Sequence, residues 1–232
     1  MGASEEIKME TVFISGGTGY MGRRIASMLL ERGHHVIVLV RRESEHKVIP
    51  GASKVVSDAF NADSFQSFIP KGSVFIQLLG VSHPSPKKTK QFREIDLKSV
   101  KASADAATIA GVSHFIYVSV AMTPSKLMEA YQAVRKDGEE YCKNTGLNCT
   151  FIRPWYVLGP GHWWPVILLP FYGIAELVPS WRNKARSMAL VTIKQMITAL
   201  TTLAEGEPVP VRVVEIKDIR KARLKRKEVS NR

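Results

Sequence analysis

The chain alternates between two hydrophobic periods along most of its length. Short runs rich in β-branched and aromatic residues, typical of strands buried on both faces of a sheet, are separated by segments with apolar residues at every third or fourth position, typical of helices. The runs that predict strands are 11–14, 35–40, 54–57, 73–79, 114–120 and 147–152, and the segments that predict helices are 20–32, 91–110 and 126–144. After Pro154 proline, glycine and tryptophan become frequent, before a predicted helix at 192–204 and a predicted strand at 209–216.

This order of elements predicts both the fold and the domain organisation. Strands that alternate with helices are typical of an α/β fold, here a Rossmann-type doubly wound parallel sheet with helices on both faces. We predict one domain over residues 1–216, in which residues 155–190 form a small irregular substrate lid, and a flexible basic tail over residues 217–232. In such sheets, ligands bind outside the carboxyl ends of the strands.

The turn between the first strand and the first helix carries the most informative motif. Its glycines fit both G-x-G-x-x-G and G-x-x-G-x-x-G. Glycines permit a sharp turn and a close approach of the backbone to a ligand, and the helix then directs its free N–H groups and positive dipole end at a pyrophosphate. Its place between a strand and a helix predicts a nucleotide-binding loop, with a plain β–α turn as the alternative. The residues predicted to contact the cofactor here are Gly16, Gly17, Thr18, Gly19, Tyr20, Met21 and Gly22.

Two arginines after the second predicted strand bear on the choice of dinucleotide. Arg41 and Arg42 stand where an NAD-selective site usually carries Asp or Glu for the ribose 2′-hydroxyl, whereas arginine suits a 2′-phosphate. We therefore predict a preference for NADP(H), with NAD(H) also possible. The alternative is that both arginines are ordinary surface residues.

Further contacts with the cofactor are predicted after the third and fourth strands. Asp58 can accept a hydrogen bond from the adenine amino group, with Ala59 alongside, although a turn-forming aspartate is an equal explanation. The fourth strand ends in Leu79, Gly80 and Val81, where small and apolar residues let the cofactor pass over the edge of the sheet.

Four stretches resemble the short-chain dehydrogenase/reductase superfamily, and within it the atypical, NmrA-like NAD(P)-binding branch. They are residues 15–22 (SGGTGYMG), 92–97 (FREIDL), 111–119 (GVSHFIYVS) and 150–154 (TFIRP), the last followed by GPG at 159–161. The resemblance runs from about residue 10 to residue 216. Active members use a serine, a tyrosine and a lysine four residues beyond the tyrosine. The tyrosine exchanges a proton with the substrate oxygen, nicotinamide carries the hydride, and the lysine lowers the tyrosine pKa and holds the nicotinamide ribose.

The resemblance places the catalytic set on Ser119, Tyr131 and Arg135, with arginine in the position of the lysine. Lys136 is one residue too far along and faces elsewhere on the helix. Arg135 supplies positive charge, but its planar fork is bulkier than an ammonium group and does not easily take the lysine's place under the ribose. Either these residues form a working catalytic set, or the protein binds cofactor and uses other groups, or none.

The resemblance also places the nicotinamide carboxamide beside the backbone that follows Arg153, so Pro154 is a predicted cofactor contact. Aromatic residues after it are predicted to form a roof over the substrate. His162 can act as an acid or base near neutral pH, with simple packing as the alternative, and His83 is predicted to lie near the nicotinamide. The predicted substrate-binding residues are His83, Trp155, Tyr156, His162 and Trp163.

Composition narrows the class of protein. Of the net charge of +12, half lies in residues 217–232, where eight Lys or Arg outnumber Asp218 and Glu228. Such a tail can bind RNA or an anionic membrane surface, or it can simply be solvated, and it has no aromatic residue for stacking on bases. No apolar run reaches the ~18 residues of a membrane-spanning helix, and the start lacks the pattern of a secretory signal. Two cysteines without a histidine cluster favour a reducing compartment over a metal site, so we predict a cytoplasmic protein.

Two functions are compatible with this sequence. The first is an NADP(H)-dependent oxidoreductase that transfers hydride to or from a small apolar or aromatic carbonyl or a quinone-like substrate. The second is a non-catalytic NADP(H)-binding redox sensor or structural subunit. The sequence leaves the oligomeric state open.

Overall fold

The computed structural model describes residues 9–82, 84–125, 128–161 and 189–224. Its strands are β1 (Thr11–Ser15), β2 (His35–Val40), β3 (Ser53–Val56), β4 (Val74–Gln77), β5 (His114–Val118), β6 (Cys149–Ile152), β7 (Val157–Leu158), β8 (Val191–Thr192) and β9 (Val211–Val214). Within the described residues, seven of them form one parallel sheet in the order β3-β2-β1-β4-β5-β6-β9, and β7 pairs with β8 separately. The order reverses between β1 and β4, which is where a doubly wound sheet opens a crevice for ligands.

Helices connect most of these strands. They are α1 (Tyr20–Glu31), α2 (Thr89–Gln91), α3 (Lys98–Ala110), α4 (Glu129–Asn144), α5 (Ile193–Ala204) and α6 (Ile216–Lys221). A π-helical segment, Phe92–Leu97, joins α2 to α3, and short 3₁₀ turns occupy Arg42–Lys47, Ala62–Ser64, Gln66–Phe68 and Pro86–Lys88. Thr192 is the N-cap residue of α5, and it forms a reciprocal capping box with Gln195 at the start of the helix.

Successive residues of each central strand supply two separate apolar layers. Ile14 and Ile76 pack in the layer that includes α1, α5 and α6. Phe13, Phe75 and Phe115 pack in the opposite layer with α3 and α4, and their rings stand 5.2 and 5.3 Å apart from centroid to centroid. A period of two along a strand directs neighbours to opposite faces, so both faces are covered by helices. The predicted doubly wound α/β fold is confirmed.

The structure differs from the prediction near the C-terminal end of the described residues. The predicted tail begins at residue 217, but residues 217–221 lie in α6. Ile216 and Ile219 of this helix are buried against the core, because a spacing of three places both on one helical face. The folded unit therefore extends to at least Lys221. Residues 225–232 of the predicted tail, and most of the predicted lid (162–188), lie outside the described residues.

The described part of the chain lacks both a membrane-spanning helix and a metal-ligating cluster. No helix there is both long and apolar enough to cross a membrane. The same residues contain no group of three or more His, Cys, Asp or Glu side chains that could hold a metal ion. Cys142 and Cys149 are buried, free thiols at the end of α4 and the start of β6.

Candidate dinucleotide and catalytic site

The glycine loop forms a compact turn between β1 and α1. Gly16 adopts φ +81°, a left-handed conformation that favours glycine. A methyl group added to Gly16 would lie 2.7 Å from the Leu79 backbone N, and one added to Gly17 would lie 2.6 Å from Val38 Cγ1. A methyl group on Gly22 would meet the Gly17 backbone, with its Cα at 2.6 Å. These three glycines are therefore required for packing, against the loop after β4, against β2 and within the glycine loop respectively, whatever the loop binds.

Unlike those three glycines, Gly19 is exposed, and it lies at the carboxyl edge of the sheet. It is the N-cap of α1, and no side chain caps the helix there. The first turn of α1 carries no acidic residue, and Arg23 and Arg24 follow the last glycine. Arg24 lies over the Tyr20 ring, 4.1 Å from its centroid, and donates to the Tyr20 carbonyl at 2.7 Å. The uncapped N–H groups and the helix dipole make this end of α1 suited to a phosphate.

Arg41 and Arg42 are exposed where β2 ends, one strand away from the glycine loop. Nearby Glu45 pairs with Lys54 at 2.5 Å, and the charge of Arg42 also helps to lower the Glu45 pKa. Both guanidinium groups are thus available on the surface at the same edge of the sheet.

The two residues predicted after β3 have different environments. Asp58 is exposed and accepts a hydrogen bond from the Phe60 N–H at 2.9 Å through one carboxylate oxygen, as a turn-forming aspartate does. Ala59 is buried in the core layer that contains Leu39 and Phe65. The side chain of Ala59 therefore serves packing.

The loop after β4 lies against the glycine loop. Leu78 N–H donates to the Ser15 carbonyl at 2.9 Å, and Leu79 lies close enough to Gly16 to exclude any side chain there. Gly80 and Val81 continue this loop with half-buried residues, and Val81 N–H donates to Asp96 Oδ2 at 3.1 Å. The two loops together form a narrow edge of backbone with small and apolar side chains, as a dinucleotide crossing the sheet requires.

Ser119 follows β5 and is almost completely buried. Its backbone N–H donates to the Ile152 carbonyl at 2.8 Å, but its Oγ has no hydrogen-bond partner among the described residues. A buried hydroxyl without a partner is costly, so a ligand that supplies one would be stabilised here.

Tyr131 lies in the first turn of α4 and is 8% exposed. Its ring packs on Phe92, with centroids 4.9 Å apart, in a cluster with Val120, the residue after Ser119. It also lines a cavity of about 350 Å³ whose other walls come from the segment after β4 and from the start of α4. Burial raises the pKa of Tyr131 above its ordinary value of 10.0, and this effect exceeds the opposing influence of Arg135. The residues that line the cavity with Tyr131 are Ser85, Pro86, Thr89, Phe92, Met128, Glu129, Ala130 and Ala133.

Arg135 is buried and its guanidinium group is committed to partners within the protein. Nη2 donates to Asp96 Oδ1 at 2.5 Å, and Nη1 donates to the Val118 carbonyl at 2.9 Å and to Tyr117 Oη at 3.2 Å. The guanidinium carbon lies 5.0 Å from the centroid of the Tyr131 ring, within cation–π range. Burial raises the pKa of Asp96, although the facing Arg135 opposes this shift. Lys136, the next residue, is exposed, as its helical position predicts.

Asp96 is the important residue that the sequence reasoning missed. It stands inside the stretch 92–97, which contributed to the family resemblance, but nothing local indicates that its side chain is buried and paired. Its partner Arg135 is 39 positions away, so the pairing depends on the tertiary fold.

The remaining predicted residues lie beyond β6 or outside the described residues. Pro154 is buried, and its carbonyl accepts from the Ala121 N–H at 2.9 Å. Trp155 is half-buried and packs edge-to-face with Tyr156, at 6.1 Å between centroids. Trp155 also packs against the cluster that contains Tyr131, which places one predicted substrate aromatic at this cluster. The predicted substrate contacts His83, His162 and Trp163 lie outside the described residues.

Comparison with known proteins identifies the family. A family model described as NAD(P)H-binding matches residues 16–159, well over half of the chain. The chain belongs to this NAD(P)H-binding family. It is an NmrA-like NAD(P)-binding Rossmann protein of an oxidoreductase-like family, which confirms the resemblance seen in the sequence motifs.

Curated relatives and solved structures are consistent with this membership. Ceramide reductase of Caulobacter vibrioides is 26% identical over 212 residues, which cover 90% of this chain and 65% of that protein. The photosystem II assembly factor Ycf39 of Cyanophora paradoxa is 26% identical over 145 residues, covering 62% of this chain and 44% of that protein. The chain thus spans less than two thirds of the length of these relatives. The NAD⁺ complex of the Bordetella bronchiseptica enzyme WbmH has the same fold, with a TM-score of 0.66, 20% identity, and coverage of 90% of this chain and 76% of the other.

Proposed function

We propose that this protein is an NADP(H)-dependent reductase that transfers hydride to a small apolar or aromatic carbonyl, or to a quinone-like acceptor. The observation that carries this proposal is the position of Tyr131, whose buried phenol lines a cavity and packs in one cluster with Val120 and Trp155. The unpartnered Oγ of Ser119 follows β5, directly before Val120, at the ligand-binding edge of the sheet.

The residues at this edge suit a dinucleotide. The α1 N-terminus and Gly19 would hold the pyrophosphate. Gly16 and Leu79 approach each other so closely that no side chain fits between them, so the edge here consists of backbone. The exposed Arg41 and Arg42 support a 2′-phosphate, since guanidinium pairs with phosphate in a bidentate manner. When bound, the nicotinamide supplies the hydride.

The chemistry of this chain's own residues suits proton donation to a substrate oxygen. Because burial raises the Tyr131 pKa, the phenol is neutral near pH 7 and can donate its proton to a developing alkoxide. Oxidation of an alcohol would require the phenolate, which the same burial disfavours. Ser119 Oγ can donate a second hydrogen bond to the substrate oxygen. Arg135 is held in the fold by hydrogen bonds from its two Nη atoms to Asp96, Val118 and Tyr117, while its buried Nε has no partner among the described residues.

The walls of the cavity support an apolar ligand. Phe92, Met128 and Ala133 offer aromatic, thioether and aliphatic contacts, while Ser85 and Thr89 contribute hydroxyl groups. A volume of about 350 Å³ is at the small end of the range for ligand pockets, which suits a molecule of one or two rings.

The test is NADPH oxidation by the purified protein across a panel of aromatic aldehydes, aliphatic ketones and quinones, followed at the nicotinamide absorbance. Activity on a panel member that Tyr131→Phe abolishes, with NADPH affinity unchanged, supports the reductase. Turnover that survives Tyr131→Phe would remove this residue from the mechanism. Intrinsic tryptophan fluorescence, with NADPH and NADH titrated separately, measures cofactor affinity independently of any substrate.

A second candidate is a non-catalytic NADP(H)-binding sensor or subunit, and the pairing of Arg135 with Asp96 favours it. The residue in the lysine position is paired with Asp96, and burial outweighs its lowering effect on the Tyr131 pKa. One relative, Ycf39, is named as an assembly factor. This candidate predicts tight NADPH binding, a change in protease resistance on binding, and no turnover with any member of the panel.

A further inference from the structure

The Asp96–Arg135 ion pair is buried directly beneath the loop that follows β4. The side chains of the two residues are 0% and 7% exposed. One carboxylate oxygen of Asp96 accepts from Arg135 Nη2, and the other accepts from the Val81 N–H. Asp96 therefore joins a charged residue of α4 to the backbone of a loop.

Gly80 shows how closely this loop rests on the pair. A methyl group added to Gly80 would collide with Arg135 Nη2 and would lie 2.7 Å from Asp96 Oδ1. The backbone of residue 80 therefore lies on the ion pair itself, and Val81 is hydrogen-bonded to it. The conformation of residues 80–81 depends on where Asp96 and Arg135 stand.

The same loop forms one side of the proposed dinucleotide site. Leu79, one residue earlier, approaches Gly16 so closely that no side chain fits between them. Arg135 also donates to the Val118 carbonyl, next to Ser119. The pair thus contacts the backbone at the ends of both β4 and β5, at the edge where ligands bind in this fold.

A π-helical segment brings Asp96 to this point. Phe92–Leu97 is wound wider than an α-helix, and both Phe92 and Asp96 are buried. Phe92 packs on Tyr131 while Asp96 pairs with Arg135, so the segment meets two successive turns of α4. Such local widening is frequent at functional sites.

We propose that Asp96 is a positioning residue for dinucleotide binding: its hydrogen bond from the Val81 N–H fixes the backbone of Gly80 and Val81, and through them the surface on which the cofactor lies. This inference rests on the proposed dinucleotide site. It assigns to Arg135 the neutralisation of the buried Asp96 carboxylate.

Two double variants separate this role from simple stability. Asp96→Leu with Arg135→Met replaces the pair by apolar side chains of similar size, an exchange that buried ion pairs often tolerate. It removes the acceptor from the Val81 N–H. Asp96→Asn with Arg135→Met also removes both charges, but the Asn carbonyl can still accept from Val81. The matched control is Arg32→Met with Glu205→Leu, which removes a second nearly buried pair, together with the contact of Glu205 with His34, from the opposite edge of the sheet.

The measurements are NADPH affinity by tryptophan fluorescence and the thermal midpoint of each variant. We expect the Leu/Met variant to raise the Kd for NADPH by about tenfold or more, and the Asn/Met variant and the control to stay within about threefold of the parent. Parent-like affinity in a folded Leu/Met variant would overturn the inference. Equal losses in both Asp96 variants would assign the effect to Arg135 and overturn the route through Val81.

Amide hydrogen exchange in the unmodified protein gives a test that does not depend on the folding of any variant. A hydrogen bond to a buried carboxylate predicts that the Val81 amide exchanges about a hundredfold or more slowly than an unprotected amide. Exchange at the unprotected rate overturns the inference. If the unmodified protein binds neither NADPH nor NADH, the proposed function fails, whereas binding that is insensitive to Asp96 contradicts the positioning role alone.

Discussion

Gly19→Ala distinguishes a phosphate-binding loop from a plain β–α turn. Gly19 has φ −74° and ψ −179°, an extended conformation that alanine adopts without strain. An added methyl group would meet a single neighbour, the Gly16 carbonyl oxygen at 3.2 Å, which requires a shift of a few tenths of an ångström. The fold should therefore tolerate the substitution, with a change in unfolding free energy within about 0.5 kcal/mol.

Binding should respond differently, because the methyl group stands on the exposed side of the loop where the pyrophosphate would approach the backbone. Crowding of a close-packed contact costs about 1–3 kcal/mol, which corresponds to a rise in the Kd for NADPH of about five- to 150-fold. The effect should be similar for NADPH and NADH, since both dinucleotides carry the pyrophosphate.

The assay pairs a fluorescence titration of each dinucleotide with a thermal melt, and Gly72→Ala is the control. Gly72 has φ +74° and stands in the turn that enters β4, at the amino edge of the sheet, with open space around its Cα. Alanine there should lower stability by about 1–2 kcal/mol through backbone strain, without any effect on affinity. If folded Gly19→Ala binds both dinucleotides as the parent does, the glycines form only a turn.

Three other substitutions test separate parts of the site and of the fold. Arg41→Ala should weaken NADPH binding about tenfold and leave NADH unchanged, and equal losses for both would remove Arg41 from 2′-phosphate recognition. Tyr131→Phe should lower kcat about 10²–10⁴-fold at constant NADPH affinity, whereas an unchanged kcat would exclude proton donation by this residue. Burial lowers the pKa of His114 from 6.5 to about 4, so the unfolded chain takes up the proton first and stability falls as the pH drops from about 6.5 towards 4. The loss is about 2 kcal/mol at pH 5, and urea unfolding should lose that part of its pH dependence in His114→Gln, or another group is responsible.

The fold could be predicted from the sequence because its signals are local. The run at 35–40 became β2 without any change in bounds, and the glycine loop joins β1 to α1 as its place in the sequence predicts. The outcome was different where burial depended on distant partners. Residues 217–221 are mostly basic, so their composition indicates a tail. Ile219 nevertheless finds an apolar layer built by α1 and α5, and tertiary packing prevails over local composition.

The site was predictable where the backbone dominates and not where side chains pair across the fold. Gly16, Gly17 and Gly22 are recognisable in the sequence because a side chain at any of these positions would collide with neighbouring atoms, so that only glycine fits. No comparable trace marks the cavity beside Tyr131, since Thr89 and Met128 come from separate segments that meet only in three dimensions.

Arg135 shows why a motif position alone does not define a chemical role. From the sequence, an arginine four residues beyond Tyr131 supplies the positive charge that would lower the tyrosine pKa. In the structure that charge faces Asp96 at 2.5 Å, so its attraction is directed at a carboxylate and only partly at the phenol. Desolvation then outweighs the remaining effect on Tyr131, and its pKa rises. The substitution of lysine by arginine is therefore inseparable from the aspartate at position 96. Burial thus keeps Tyr131 protonated against the effect of Arg135, which leaves the phenol able to donate its proton in a reduction.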